Sequence, residues 1–526
     1  MAQRDLIADA LEKAKQRARD GILRSAELTA LERERLERGG WLTRILRGYY
    51  LIGTPGREGE SGVWYGHDFR AFVRLYLAER FDRGYCLSAK DSIEVHTGEP
   101  VFPAQIVVNT KKQSAKVDLP FGSSILIIPG YLPEAIEQLD GLRVMSLAEA
   151  LCRVPASYFE ANPVKAAIAL RSVRDPLSSI GRVLLSQGMT AVAGRIVAAY
   201  RALGQKRIAE GLKSAMMMAG PRVTEVNPFL SPIPDFGRPK EPSAQALRVR
   251  AMWAVMRPKV LEIFGSDPGM RKNAVRLVKS IKEVYRHDAY NSLSIEGFEV
   301  TAELIEKVRS GGWSPDKNGR DAKTKDALAA KGYAEAFDLV LDSVSRVVRD
   351  GRPGEVAEKD LQSWCAALFA PAVRAQLIAP ADLVGYRNGP VYIRGANHIP
   401  PNALHVPGMM EELFALLKED GSAAARAVLG HFVFVHIHPF FDGNGRTARF
   451  LMNLMFVSGG WPWTIVRSEP GRRNPYFAAL DKAHETRSEI ADFARFLKEE
   501  MKVDWTKVDR RALRVSRNKA SETISS

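Results

Sequence analysis

Twelve residues, His438-Pro-Phe-Phe-Asp-Gly-Asn-Gly-Arg-Thr-Ala-Arg449, constrain this chain more than any other stretch. The proline after His438 biases the histidine away from helix, into an extended or loop conformation. The run before it, HFVFVHIH, is apolar and then turns polar. Asp442-Gly-Asn-Gly445 reads as a turn, because glycine tolerates backbone angles that other residues avoid. Asn444 suits the N-cap of a following helix. On that helix Arg446, Arg449 and Asn453 stand at i, i+3 and i+7 and share a face, while Leu451, Leu454 and Met455 can point to a core. Helix N-termini and glycine-rich nests present unpaired N–H groups that attract anions. The stretch therefore offers a phosphate cradle in Gly443, Asn444 and Gly445, and two guanidiniums in Arg446 and Arg449. It adds a hard carboxylate suited to Mg²⁺ in Asp442 and a general base in His438.

Rival chemistries fit less well. Asp442-x-Asn444 resembles the start of a calcium-binding EF-hand loop, but that loop needs glycine at its sixth position and glutamate at its twelfth, where Thr447 and Asn453 stand. His436-x-His438 could begin a zinc site, yet no third ligand follows at a recognised spacing. His431 and His436 read as structural histidines near a core.

A chain of 526 residues exceeds one ordinary core, and about two to four domains are expected. No run approaches the length of a membrane span, and the N-terminus, charged from its fourth residue, lacks an apolar signal core. Cys86, Cys152 and Cys365 lie far apart without metal or redox spacing, which suits free thiols in a reducing cytoplasm. The formal charge of +15 favours an acidic partner such as nucleic acid, and ATP or acidic protein surfaces are served equally.

In chain order, residues 1–58 read as a helix, a second helix over 28–38 and a basic hairpin carrying Arg44 and Arg47. A helix followed by such a hairpin is how a winged helix-turn-helix is built. Glu32, Glu34 and Glu37 make the helix less basic than a committed DNA reader, so a module for protein contacts stays open. Residues 59–150 form a small α/β unit: the helix DFRAFVRLYLAERF and the strand-like runs IEVHTG, AQIVVN, SAKVDL and SSILIIP. Residues 151–226 are helical, and 227–243, with five prolines, read as a linker. From 244 to 502 the period is helical, interrupted only by 386–401, which alternates as a strand and turns at Gly395. The basic tail 503–526 is expected to fray.

The run His438–Arg449 resembles the Fic family signature, HxFx(D/E)GNGRxxR, at every fixed position, and Ser292-Leu-Ser-Ile-Glu296-Gly297 resembles that family's inhibitory-helix motif, (S/T)xxxE(G/N). Residues 40–50 are similar to a G-x-L-x-R-x-x-R-G-x-Y run of AbiEi-type antitoxins and related regulators. The fold implied is multidomain and mainly α. A C-terminal all-α Fic domain with a β-hairpin flap would follow an N-terminal winged helix and small α/β unit. The Fic resemblance implies transfer of AMP from ATP to a Tyr, Ser or Thr hydroxyl of a protein, the chain itself included, with Mg²⁺ on Asp442. His438 would be the base; Arg446 would take the β-phosphate and Arg449 the γ-phosphate. Glu296 would pair with Arg449 and keep the γ-phosphate out, with Ser292 as the other residue of the inhibitory motif. The flap residues Val391 and Ile393 would face the target or the nucleotide, against the plainer reading of a connecting hairpin. Asn453 belongs to the nucleotide set, and Tyr476 would sit beside the adenine, against simple core packing. His484 stands near a position where relatives carry Asn. The partners implied are ATP and a hydroxyl-bearing protein, with double-stranded DNA as the partner of Arg44 and Arg47; no membrane is implied, and an oligomer is compatible. The alternative is a DNA-binding regulator, or a toxin-antitoxin-like protein, whose Fic domain senses or removes AMP.

Overall fold

The structure, a computed structural model, describes residues 3–53, 69–98, 104–111, 113–218, 222–235, 237, 243–270, 273–310, 312, 325–378, 385–389, 391, 393, 398–486, 488–505 and 507–508. It divides into two compact units. The first gathers 1–235, 242–251 and 390–402; the second gathers 236–241, 252–389 and 403–526. This division differs from the linear boundaries above at 242–251 and 390–402.

The first unit opens with α1 (Gln3–Arg17), β1 (Ile22–Arg24), α2 (Ala30–Arg38), β2 (Leu42–Leu46) and β3 (Tyr49–Ile52). The strands form an antiparallel sheet in the order β1-β3-β2. Thr29 starts α2 because its hydroxyl accepts the Glu32 N–H while the Glu32 carboxylate takes the Thr29 N–H, a reciprocal capping box. Gly48, at φ 92, turns the hairpin. Ala10, Ala14, Leu23, Leu28, Leu36 and Leu42 make the core of this piece. Arg44 and Arg47 are exposed.

Next come α3 (Phe69–Phe81), β4 (Tyr85–Leu87), α4 (Ala89–His96), β5 (Gln105–Thr110), β6 (Ala115–Asp118), β7 (Ser124–Pro129), β8 (Ile136–Leu139) and β9 (Leu142–Met145). A four-stranded sheet runs β4-β5-β7-β6, with β5 and β7 parallel. The expected strand IEVHTG is instead the end of α4. Ser88 caps that helix through the Asp91 N–H, and Asp91 takes both the Ser88 hydroxyl and the Val107 N–H. Local capping thus outweighs the alternation that suggested a strand. Six helices follow: α5 (Leu147–Arg153), α6 (Ala156–Ala161), α7 (Pro163–Ser172), α8 (Pro176–Ser186), α9 (Thr190–Ala202) and α10 (Lys206–Met218). The described residues of 222–235 carry neither helix nor strand.

Helix α11 (Ala244–Phe264) has its residues to 251 in the first unit and the rest in the second. The second unit continues with α12 (Ala274–Ile295), α13 (Ala302–Arg309), α14 (Lys325–Asp350), α15 (Pro353–Arg374), α16 (Val406–Glu419), α17 (Ala423–Ile437), α18 (Asn444–Ser458), α19 (Pro470–Thr486) and α20 (Ala491–Glu500). Helices α14 and α15 approach closely at Gly332, where a Cβ would lie 1.9 Å from the Leu368 carbonyl oxygen. Both pack on α18, which is buried nearly all round. Among the described residues no helix is long and apolar enough to cross a membrane. All three cysteines are buried and free.

Candidate active site

Two helices end at the site. Helix α17 stops at His438, which is not extended: it sits in the left-handed region that favours glycine, at φ 52 and ψ 60, its N–H closing on the Phe434 carbonyl at 2.9 Å. Such a conformation costs a non-glycine residue about 1–2 kcal/mol and persists only where its surroundings impose it. Arg387 imposes it. This arginine is 3% exposed. Its guanidinium donates to the carbonyls of His438 (2.8 Å), Gly389 (2.9 Å) and Ile437 (3.4 Å), and its own N–H donates to Pro439. Burial lowers its pKa to about 10. The His438 ring places Nδ1 3.4 Å from the Val435 carbonyl. That contact calls for a proton on Nδ1 and leaves the Nε2 lone pair as the base. Burial holds the imidazole down to about 4, so the ring is neutral near pH 7.

The loop then closes on α18. Gly443, at φ 79, is the N-cap in place of the expected Asn444. A Cβ there would meet Phe369 at 2.9 Å, so glycine is required by space as well as by angle. Asn444 is the first helical residue, and its side-chain amide clamps Phe440, accepting its N–H at 3.0 Å and donating to its carbonyl at 2.8 Å. Its part in the cradle is therefore the shape of the loop. Asp442 projects outward, 68% exposed, with Arg446 Nη2 at 3.4 Å. Arg446 lies between the rings of Phe298 and Phe369, each centroid 5.2 Å away, and its buried Nε has no hydrogen-bond partner among the described residues. It is a desolvated cation with donor capacity to spare.

The second helix, α12, ends at Glu296. Gly297, at φ 84, lets the chain leave, while the N–H groups of Phe298 and Gly297 return to the carbonyls of Leu293 and Ser294. This is a Schellman closure, and it delivers Phe298 to Arg446. Glu296 meets Arg449 at 2.7 Å. Arg449 also donates to the Ser292 hydroxyl (2.9 Å) and carbonyl (3.1 Å). Burial raises the Glu296 carboxyl, but Arg449 and Arg446 outweigh it and hold it below its ordinary value. Its Oε1 would lie 2.3 Å from a Cβ on Gly445. The carboxylate thus rests against the first turn of α18, where backbone N–H groups and the helix dipole favour an anion. Behind it, Tyr333 donates to Asp288 at 2.7 Å, and burial pushes the Asp288 carboxyl up to about 6.

Other expected residues make different contacts. The Asn453 amide is spent on Thr464, accepting its N–H at 2.6 Å and donating to its carbonyl at 2.9 Å, so it secures the loop after α18. Tyr476 is 2% exposed, its hydroxyl 3.0 Å from His431 Nε2; burial raises its pKa, against the charge of the neighbouring Arg449. His431 is fully buried, and burial lowers it to about 3. His436 stacks on His484 with ring centroids 5.5 Å apart. Much of the expected flap, at 390, 392 and 394–397, falls outside the described residues; Val391 and Ile393 are half-buried and neither is in a strand. Reasoning from sequence missed Arg387, Phe298 and Phe369. Only Phe298 had a signal, since it follows the glycine that ends α12.

At this site a neutral histidine stands beside the first turn of α18, against which the Glu296 carboxylate rests in its pair with Arg449. A family model described as the Fic/DOC family matches residues 359–456. The protein adenylyltransferase Fic of Drosophila yakuba is 36% identical over 228 residues, 42% of this chain and 41% of the relative. That of Drosophila willistoni is 35% identical over 232 residues, 43% and 41% of the two chains. The chain thus spans about two fifths of the length of the curated relatives it matches. Among solved structures, a Fic-1 fragment from C. elegans is similar at 18% identity and a TM-score of 0.35, covering 70% of this chain and 99% of that one.

Proposed function

We propose that this chain is a protein adenylyltransferase that moves AMP from ATP to a Tyr, Ser or Thr hydroxyl, and that Glu296 holds it off. One observation carries the reading. The Glu296 carboxylate pairs with Arg449 and rests against Gly445, beside a histidine kept neutral by burial.

His438 Nε2 takes the proton as the target oxygen attacks the α-phosphorus. The bond to the bridging oxygen breaks, and pyrophosphate leaves. The first-turn N–H groups of α18 and the guanidinium of Arg446 hold the phosphates. Arg449 takes the γ-phosphate once Glu296 has left it. Asp442, an exposed oxygen donor at this loop, fits a hard divalent cation, and Mg²⁺ held there would offset the charge of the departing pyrophosphate. With Glu296 in place, carboxylate and γ-phosphate compete for one cation, and ATP is left with its α-phosphate off line.

The test is transfer of radioactive α-phosphate from ATP by wild type, Glu296→Gly and Glu296→Gly/His438→Ala. Label on protein in the first variant, absent from the second, supports the reading; no label from any folded variant overturns it. Running the same variants on AMP-labelled protein separates transfer from removal of AMP.

Exposed Arg44 and Arg47 on the β2–β3 hairpin favour a second reading, a duplex-binding module at 1–58. Fluorescence anisotropy with labelled duplex DNA decides it: binding that weakens in Arg44→Ala and Arg47→Ala supports the module.

A further inference from the structure

Glu296 is the last step of a longer attachment. One residue before α19 and one in its first turn reach back to α12. The Asn291 Oδ1 accepts the Ser468 N–H at 2.8 Å and the Ser468 hydroxyl at 3.0 Å. Arg473 donates through Nε and Nη2 to the carbonyl of Ile295, at 3.2 and 3.0 Å. That carbonyl belongs to the final residue of α12, one of those left without an intrahelical partner, where a cation also opposes the helix dipole. Glu296 is the next residue, so whatever fixes the Ile295 carbonyl fixes the origin of the Glu296 side chain. The gripping segment is itself anchored. Thr464 is clamped by Asn453. The Glu500 carboxylate, 1% exposed, takes Arg467 at 3.0 Å through both Nε and Nη2, and Arg472 Nε at 2.6 Å.

We infer that residues 464–473 are a clasp that seats the guarding helix, with Asn291 and Arg473 as its positioning residues. The inference rests on the proposed inhibition by Glu296 and deepens it: the guard is held by α18 through Arg449 and by α20 through this clasp. An event that displaces α20 therefore unlocks the site without touching the ion pair.

The test uses the full chain and its own labelling by radioactive ATP. Arg473→Ala removes two charge-assisted hydrogen bonds, and labelling is expected to rise about tenfold. Asn291→Ala, a change on the opposite side of the clasp, is expected to act in the same direction. Arg473→Lys, which keeps a cationic donor, is expected to restore most of the inhibition. Added to Glu296→Gly, Arg473→Ala is expected to change nothing, since the guard is already absent; a fall there would make Arg473 a nucleotide contact and overturn the inference. Hydrogen exchange at the amides of 293–298 supplies a reading independent of activity and is expected to quicken in both alanine variants. If Glu296→Gly labels while both alanine variants stay at the wild-type level, the clasp is wrong and the proposed function stands. If Glu296→Gly does not label, the proposed function fails, and unchanged exchange in the alanine variants overturns the clasp separately.

Discussion

The two helix ends at the site are built on opposite plans. Helix α17 ends on a non-glycine residue in a costly left-handed conformation, locked by a buried arginine that spends its donors on backbone carbonyls. Helix α12 ends on a glycine that adopts φ 84 without strain, and its terminal side chain is held by an ion pair that is 29% exposed on the Glu296 side. On the proposed function, the first plan fixes a base in one position, and the second holds a competitor where it can be lost. A guarded site needs both, because a movable base would leave nothing to guard and an immovable guard would never yield.

The strongest test of the fixed end is the base itself. In a Glu296→Gly background, His438→Ala is expected to lower AMP transfer by about 10²–10⁴-fold, with the thermal midpoint barely moved; an equal loss of folding would make His438 structural. Arg387→Ala comes next. It removes a buried cation from three carbonyls, and a loss of about 3 kcal/mol in denaturant unfolding is expected, together with a fall in transfer as the His438 conformation relaxes. Stability within about 0.5 kcal/mol of wild type would show that Arg387 does not hold the loop. On the removable end, Glu296→Gly is expected to raise transfer by about 30-fold, the equivalent of one charge-assisted contact of about 2 kcal/mol.

The pH dependence sharpens the contrast. His438 is expected to titrate near 4 in the folded chain against 6.5 when unperturbed, which histidine NMR shifts can follow. Because its folded value is depressed, the stability of the neutral buried form is full above about 6.5 and fades as pH falls towards 4. Glu296 is also depressed, so its pairing is present above the ordinary carboxylate range and lost as pH falls through its lowered value. Both losses lie on the acid side, so acid removes the base as it loosens the guard. Wild-type labelling should therefore show no acid optimum, and a peak below about pH 6 would break this account.

What could be read in advance followed from locality. The turn, the helix face of Arg446 and Arg449 and the Glu296-Gly297 stop are each written within a few neighbouring residues. Arg387 was invisible because its His438 and Ile437 partners are carbonyls some fifty positions away, and a carbonyl has no sequence identity. The Phe298–Arg446–Phe369 sandwich joins three separate elements for the same reason. For Asn453, spacing gives the face of the helix but not what stands opposite, and Thr464 stands there. In α4 the alternation of Ile93 and Val95 suggested a strand, while the Ser88 cap just upstream, with Asp91 also tied to the Val107 N–H of β5, makes it a helix.

The smallest expected effect bears most directly on the contrast. Gly297→Ala puts a Cβ on a residue at φ 84, where nothing lies within 4 Å of it, so the change is one of backbone strain without a clash. The cost is about 1 kcal/mol, and it falls on the Schellman closure that aims Glu296 at Arg449 and Phe298 at Arg446. Labelling is expected to rise a few-fold, with Glu296 and Arg449 both intact. His438 is already strained and withstands it because Arg387 grips its own carbonyl and those beside it; the clasp holds the Ile295 carbonyl and not the backbone of Glu296 and Gly297, so a comparable strain there is free to move the guard. If Gly297→Ala leaves labelling unchanged, the end of α12 is as rigidly held as the end of α17, and the contrast between a fixed base and a removable guard disappears.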